Sequence, residues 1–286
     1  METRSPVDTV SAPGSAPVAA PFSGALGLTP AGPGVYRVEL AEAWTVGGGK
    51  LHGGFMMALL TRAALTGLDA HTGAPAGTTE PVAVSMDFLR APDMGPAELA
   101  TEVIKVGRTA SVVRVELHQH GRLALAGTVT AGRLPEGPAD WTNLPELAPE
   151  PPAEAVRIAD SRQDSELTRS CQVVLDTGTA AFLRGERADP LMRGWVRPRG
   201  EQPDVLFALL AGDILPPLLF NMARAGWAPT VQLTALLRGR PAPGWLRLEA
   251  TSRVIRGNWF DEDYTVIDAQ GQLVCQARQL ALAPLG

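Results

Sequence analysis

The chain carries the same pattern of segments twice, at an offset of about 150 residues, and a sequence that does so folds as two similar units joined together. The stretch from Gly107 to Gly121 has the same length and bounding glycines as the stretch from Gly257 to Gly271, and each leads into a further apolar run. Both read as a strand, a turn at the closing glycine and a returning strand. Upstream, the stretch from Pro81 to Arg90 corresponds to that from Pro229 to Arg238. Each is a strand opened by a proline, whose missing N–H is tolerated there.

Before these strands each copy has one long apolar segment rich in Ala, Leu and Met. The stretch from His52 to Leu68 follows a glycine triplet and has few polar residues, which predicts a helix buried on nearly every side. Its counterpart opens at Pro203-Asp204, with proline at a tolerated first-turn position and Asp204 near the positive end of the helix dipole. Pro216-Pro217 stops or kinks this second helix, which is expected to contain Asp213. An earlier strand is expected between Gly34 and Trp44 in the first copy and around Gln172 to Leu183 in the second. The economical packing is an antiparallel sheet wrapped around a central helix in each copy, so the expected class is α+β with two such sheets.

Composition shows where the copies end. Residues 1–30 are dominated by Ala, Pro, Gly and Ser, too little apolar surface to offset the entropy of ordering, and they read as a flexible tail. The stretch from Leu134 to Pro152 is Pro-rich in the same way. The expected organisation is a tail over 1–30, a first unit over 31–133, a Pro-rich linker over 134–165 and a second unit over 166–286. With 45% hydrophobic residues, two units of this size can bury substantial cores. A net charge of −5 counts against nucleic acid as a partner, since phosphates call for a basic face. The N-terminus lacks a basic flank before an apolar core, and no run of roughly 18 apolar residues occurs, so neither export nor membrane insertion is expected. Cys171 and Cys275 lie far apart without the paired spacing of zinc sites or disulfide frameworks, which fits a reducing cytoplasm and predicts no metal.

Comparing the copies isolates polar residues that the fold does not require. Asp213 aligns with Ala63, Thr230 with Val82 and Gln279 with Val129, so all three polar residues belong to the second copy alone. A charge within an apolar helix is costly unless paired or functional. The competing readings are a cap before Pro216-Pro217 for Asp213 and ordinary strand positions for Thr230 and Gln279. At the first helix start, the N–H groups of Gly53 and Gly54 suit a negative charge, because a helix N-terminus attracts anions and glycine permits close approach. His52, beside them, is a base or a packing residue. His118 and His120 share one strand face beside Gly121 without an evident third ligand. Arg184, Arg187, Arg193, Arg197 and Arg199 form a local basic run that either meets phosphates or is a solvated loop. Lys50 and Lys105 are the only lysines among 25 basic residues, so arginine counts alone carry little weight.

A buried helix starting at His52-Gly53-Gly54-Phe55, followed by strands of this length and order, resembles the hot-dog fold. Two such units in one chain resemble the acyl-CoA thioesterase II family of double hot-dogs, over residues from about 30 to the end. The resemblance implies hydrolysis of medium- to long-chain acyl-CoA to free acid and coenzyme A, with no cofactor. It also implies that Asp213, Thr230 and Gln279 hold and activate the attacking water, opposite Gly53, Gly54 and His52. Small gaps in the match leave Gln232 or Thr234 as substitutes for Thr230, and Gln276 for Gln279. Carrier-protein thioesters are an alternative substrate, and the exposed sheet edges suggest a homo-oligomer. The other functions compatible with the fold are a non-catalytic or biosynthetic acyl-thioester binder and an enoyl-CoA hydratase-like enzyme. The hydratase needs an Asp and a His about five residues apart, a signature this chain lacks.

Overall fold

The computed structural model describes residues 21–75, 77–161 and 165–284. In the first half, β1 (Val35–Leu40) precedes the central helix α1 (Gly53–Thr72), which is followed by β2 (Glu80–Phe88), β3 (Gly95–Lys105), β4 (Ser111–Gln119) and β5 (Arg122–Gly132). The second half runs β6 (Cys171–Leu175), β7 (Leu191–Pro198), α2 (Val205–Ala211), β8 (Thr230–Leu237), β9 (Leu246–Thr251), β10 (Trp259–Ile267) and β11 (Leu273–Leu282).

The halves do not keep separate sheets. β2 pairs antiparallel with β8, from Ala83 opposite Leu236 to Asp87 opposite Gln232, and this seam joins the two halves into one 14-stranded sheet. Its central order is β1-β3-β4-β5-β2-β8-β11-β10-β9-β7-β6. The two expected sheets are thus one. Without the seam, β2 and β8 would each be an edge with unpaired N–H and C=O groups, and pairing them satisfies both rows at once. A two-residue ladder between Thr45–Val46 and Lys50–Leu51 forms a separate small hairpin ahead of α1.

α1 packs on β2 to β5, α2 packs on β8, β9 and β11, and the two helices touch each other. The caps are equivalent: Phe55 N donates to His52 Nδ1 at 3.2 Å and Phe207 N to Asp204 Oδ1 at 2.7 Å. Phe55, Phe207, Trp44 and Phe22 make one aromatic cluster at the helix starts, with Trp44 stacked on Phe55 and Phe22 edge-on to both Trp44 and Phe207.

Three local expectations differ from what is observed. Residues 1–20 of the expected tail lie outside the described residues, but Phe22–Ala25 forms a helical turn and Phe22 and Leu26 are buried, because the cluster at the helix starts offers them apolar surface. The strand expected around 172–183 ends at Leu175. The strand that matches β1 is β7, which carries Arg193 and Arg197. α2 stops at Ala211, so Asp213 sits in the turn that follows and not inside the helix. Gly212 is a poor helix residue, and a Cβ on it would lie 2.8 Å from Ala277 Cβ, so the chain turns close over β11 there. Among the described residues no helix is long and apolar enough to cross a membrane.

Candidate active site

The site assembles where the start of α1 meets the end of α2. Glycine is needed at that crossing: a Cβ on Gly54 would lie 2.8 Å from Leu210 O and 3.0 Å from Leu210 Cα. The close approach brings Asp213, buried to 9% exposure, under the first turn of α1, where Gly54 N donates to its Oδ2 at 2.7 Å. His52 Nδ1 already accepts from Phe55 N–H, so the ring proton belongs on Nε2, which donates to the Asp213 carbonyl at 2.9 Å. The same nitrogen lies 3.6 Å from Asp213 Oδ2. Burial raises the Asp213 carboxyl above the usual range, opposed by His52 and by the Gly54 N–H.

Thr230 and Gln279 come together across β8 and β11, where Thr230 Oγ1 donates to Gln279 Oε1 at 2.7 Å. In strict alternation Thr230 would share the outward face of Gln232. A register shift between Thr230 and Gln232 turns it inward, opposite buried Ala281. Gln279 faces inward between Ala277 and Ala281, whereas Gln276 and Gln232 are exposed and Thr234 bonds to Ser85 at 3.0 Å. The substitutes left open by the sequence therefore point elsewhere.

Sequence comparison missed Glu262. Its side chain is 1% exposed on the inward face of β10, with Phe260, Tyr264 and Val266. Gln279 Nε2 donates to Glu262 Oε2 at 2.6 Å, and Leu218 N donates to Oε1 at 2.7 Å. Burial pushes this carboxyl up to about 8, and the charge of Asp213 pushes the same way, against the Leu218, Gln279 and Tyr264 hydrogen bonds. The signal was present in the repeat. Glu262 stands opposite Gln279 as Val113 stands opposite Val129 in the first half, so one polar pair replaces a buried valine pair.

The structural equivalences also shift two of the sequence alignments. The β2–β8 seam is symmetric about Ser85 and Thr234, which sets Thr230 against Pro81 and not Val82. Counting from the matching caps at His52 and Asp204 sets Asp213 against Thr61 and not Ala63; Thr61 is buried, and its hydroxyl donates back to Met57 O. The alignment of Gln279 with Val129 holds.

Asp213, Thr230, Gln279 and Glu262 all line one cavity of about 610 Å³, together with His52 and Gly53. Its other walls are largely apolar, including Met56, Phe88, Leu215 and Phe260, and toward solvent it reaches Lys50, Arg90 and Trp227. Trp227 is half exposed, and Lys50 Nζ lies 5.7 Å from its ring centroid. The basic run is not part of this cavity: Arg193 pairs with Glu249 at 2.7 Å, and Arg197 bonds Gln172 and stacks on Trp245. His118 bonds Glu116 on the far half, and no group of three metal-ligating side chains occurs among the described residues. Cys171 and Cys275 are buried free thiols pushed up to about 12, so neither supplies a thiolate nucleophile.

Residues 40–132 match the family model of the acyl-CoA thioesterase N-terminal domain, and residues 142–283 match that of the acyl-CoA thioesterase C-terminal domain. The chain belongs to the acyl-CoA thioesterase family. It is 44% identical over 271 residues to an uncharacterized protein of Mycobacterium tuberculosis, covering 87% of this chain and 91% of that protein. A protein assigned as a thioesterase II from Thermobifida fusca superposes with a TM-score of 0.81 at 32% identity, over 95% of this chain and 100% of that one. A hot-dog protein from Alicyclobacillus acidocaldarius, with a TM-score of 0.77 at 19% identity, covers 93% of this chain and 98% of its own, and attests the fold alone. For this thioesterase-family chain, the hot-dog expectation therefore stands, with one continuous sheet in place of two.

Proposed function

We propose that this chain hydrolyses medium- to long-chain acyl-CoA thioesters to free acid and coenzyme A. The observation that carries the reading is the buried Asp213 carboxylate, held under the start of α1 and opening with Thr230 and Gln279 onto a largely apolar cavity. Water held between Asp213 and Thr230 attacks the acyl carbon. As its oxygen bonds to that carbon, one proton passes to Asp213 and the carbonyl π electrons move onto oxygen. Collapse of the intermediate breaks the C–S bond and expels the thiolate, which takes up the proton from Asp213. Because the leaving thiol has a pKa of roughly 8.5, no stronger acid is required.

The Gly54 N–H is committed to Asp213, so the developing oxyanion falls to Gly53 N–H and the positive end of α1. His52 holds Asp213 through its backbone carbonyl and acts as an orienter, not as the base. Lys50, Arg90 and Trp227 suit the phosphates and adenine of coenzyme A on the open side of the cavity. A carrier-protein thioester presents the same acyl chemistry with a single phosphate. We further propose a cytoplasmic homo-oligomer that uses the free edges of the sheet, with no nucleic acid or membrane as partner.

The test is thiol release from acyl-CoAs of graded length by the wild type and by Asp213→Asn. Turnover by the wild type that the variant loses supports the reading. Thiol release at equal rates, or none from any acyl-CoA, overturns it.

A further inference from the structure

We propose that Glu262 is the positioning residue that sets the direction of the hydrogen-bond chain Thr230 to Gln279 to Glu262, so that Thr230 faces the reacting water as an acceptor only. This rests on the thioester-hydrolysis reading of the site. The argument concerns which atom donates. A carboxyl group presents oxygens to the N–H groups around it, and Glu262 receives Leu218 N on Oε1 at 2.7 Å and Gln279 Nε2 on Oε2 at 2.6 Å. The Leu218 donor is backbone and cannot be reversed. Oε2 of an ionised Glu262 can likewise only accept, so Gln279 turns its NH₂ toward Glu262 and its oxygen toward Thr230.

The Thr230 hydroxyl has one proton, and it is spent on Gln279 Oε1 at 2.7 Å. Only lone pairs remain for the cavity. A water beside Thr230 and Asp213 then gives one proton to Thr230 Oγ1 and the other to the Asp213 carboxylate, which leaves its own lone pair for the acyl carbon. A Thr230 hydroxyl turned the other way would donate into that lone pair and blunt the nucleophile.

Tyr264 offers a neutral Glu262 a way to keep this polarity. Tyr264 OH lies 3.3 Å from Glu262 Oε2 and 3.4 Å from Leu215 O. When Glu262 is ionised, Tyr264 donates to it. A neutral Glu262 keeps the same polarity with its proton turned to Tyr264, which then donates to Leu215 O and leaves an Oε2 lone pair for Gln279. In the first half the equivalent positions are Val113 and Val129, so the fold itself does not ask for this pair.

The experiment compares wild type, Glu262→Gln and the exchange Glu262→Gln/Gln279→Glu, using octanoyl-CoA as substrate. In the single variant the new amide oxygen stays on Leu218 N–H, its NH₂ faces Gln279, and Gln279 flips, which reverses Thr230. We expect kcat to fall about tenfold or more with KM changed by less than about twofold, because Glu262 acts on the reacting water through Gln279 and Thr230 while the substitution keeps the shape of the cavity wall. In the exchange the acceptor is restored next to Thr230, and kcat should recover at least about half of the logarithmic loss. A second readout does not depend on turnover: the side-chain amide resonances of Gln279, one shifted downfield by the short bond to Glu262, should move on Glu262→Gln.

Wild-type kcat in Glu262→Gln, an exchange no better than the single variant, or an unmoved Gln279 amide would each overturn the proposal. If the wild type releases no thiol, the hydrolase reading fails, and the amide resonances still decide whether Glu262 sets the chain.

Discussion

The backbone N–H of Gly54 donates to Asp213 Oδ2 at 2.7 Å, a bond between residues 159 apart that ties the start of one central helix to the end of the other. It places a buried carboxylate where the positive end of α1 can hold it, and it depends on the absence of a side chain at Gly54. α2 ends at Ala211, and Asp213 in the turn that follows reaches the α1 start.

Asp213→Asn should lower kcat for acyl-CoA by about 10²-fold or more, because proton acceptor and water orienter are lost together. The amide oxygen can still accept from Gly54, and a buried charge is removed, so the thermal midpoint should hold or rise. Steady-state kinetics paired with thermal melts check this. A variant with full turnover removes Asp213 from the mechanism.

The two glycines at the α1 start should separate stability from activity. A Cβ at Gly54 meets Leu210 backbone at 2.8 Å, so Gly54→Ala pushes the helices apart and should destabilise by about 1–3 kcal/mol, read from urea unfolding. A Cβ at Gly53 meets Asp213 Oδ2 at 2.7 Å and the rim of the Phe88 ring at 3.6 Å. Gly53→Ala should mainly displace the carboxylate, with loss of kcat exceeding loss of stability. The reverse ranking would contradict the geometry.

Acyl length should matter, since the cavity walls near Asp213 are Met56, Phe88, Leu215 and Phe260. A chain of about eight to twelve carbons buries apolar surface there that acetyl does not, so kcat/KM should rise steeply from acetyl-CoA to that range. Trp227→Ala should raise KM for the coenzyme A esters with little change in kcat, because Trp227 lies on the open side. Equal efficiency on acetyl-CoA and decanoyl-CoA would show that the apolar walls do not hold the acyl chain.

Stability should fall as pH rises from about 4.5 to about 8. Glu262 is held up to about 8 in the folded protein against an ordinary 4.5, so across that interval the unfolded chain has given up a proton that the native state keeps. The contribution is complete below the unfolded value and is lost as pH climbs through the folded one. Asp213, also raised by burial, contributes a decline of the same sign. Urea midpoints measured across this range should show a shallower decline in Glu262→Gln than in the wild type. An unchanged slope would mean that Glu262 does not titrate there.

Much of this protein is written in local sequence. Both helices, the strand order after each of them and Gln279 as a polar replacement for Val129 were legible, because apolar periodicity and a repeat register are properties of neighbours along the chain. Asp213 and Thr230, by contrast, were matched to Ala63 and Val82, which the structure replaces with Thr61 and Pro81. What the sequence could not carry is which face a residue takes after an irregularity, and which distant atoms meet. Thr230 faces the cavity only because a register shift breaks the alternation before Gln232, and one residue of slip exchanges the two faces of a strand. Glu262 is one acid among three in Asp261-Glu262-Asp263, and only its place opposite Gln279 on the inward face of β10 sets it against the cavity. The single sheet was equally out of reach, since the β2–β8 seam satisfies two edges at once and pairing partners are chosen by closure of the whole structure. Local chemistry determined the pieces, and long-range packing decided which of them share a cavity.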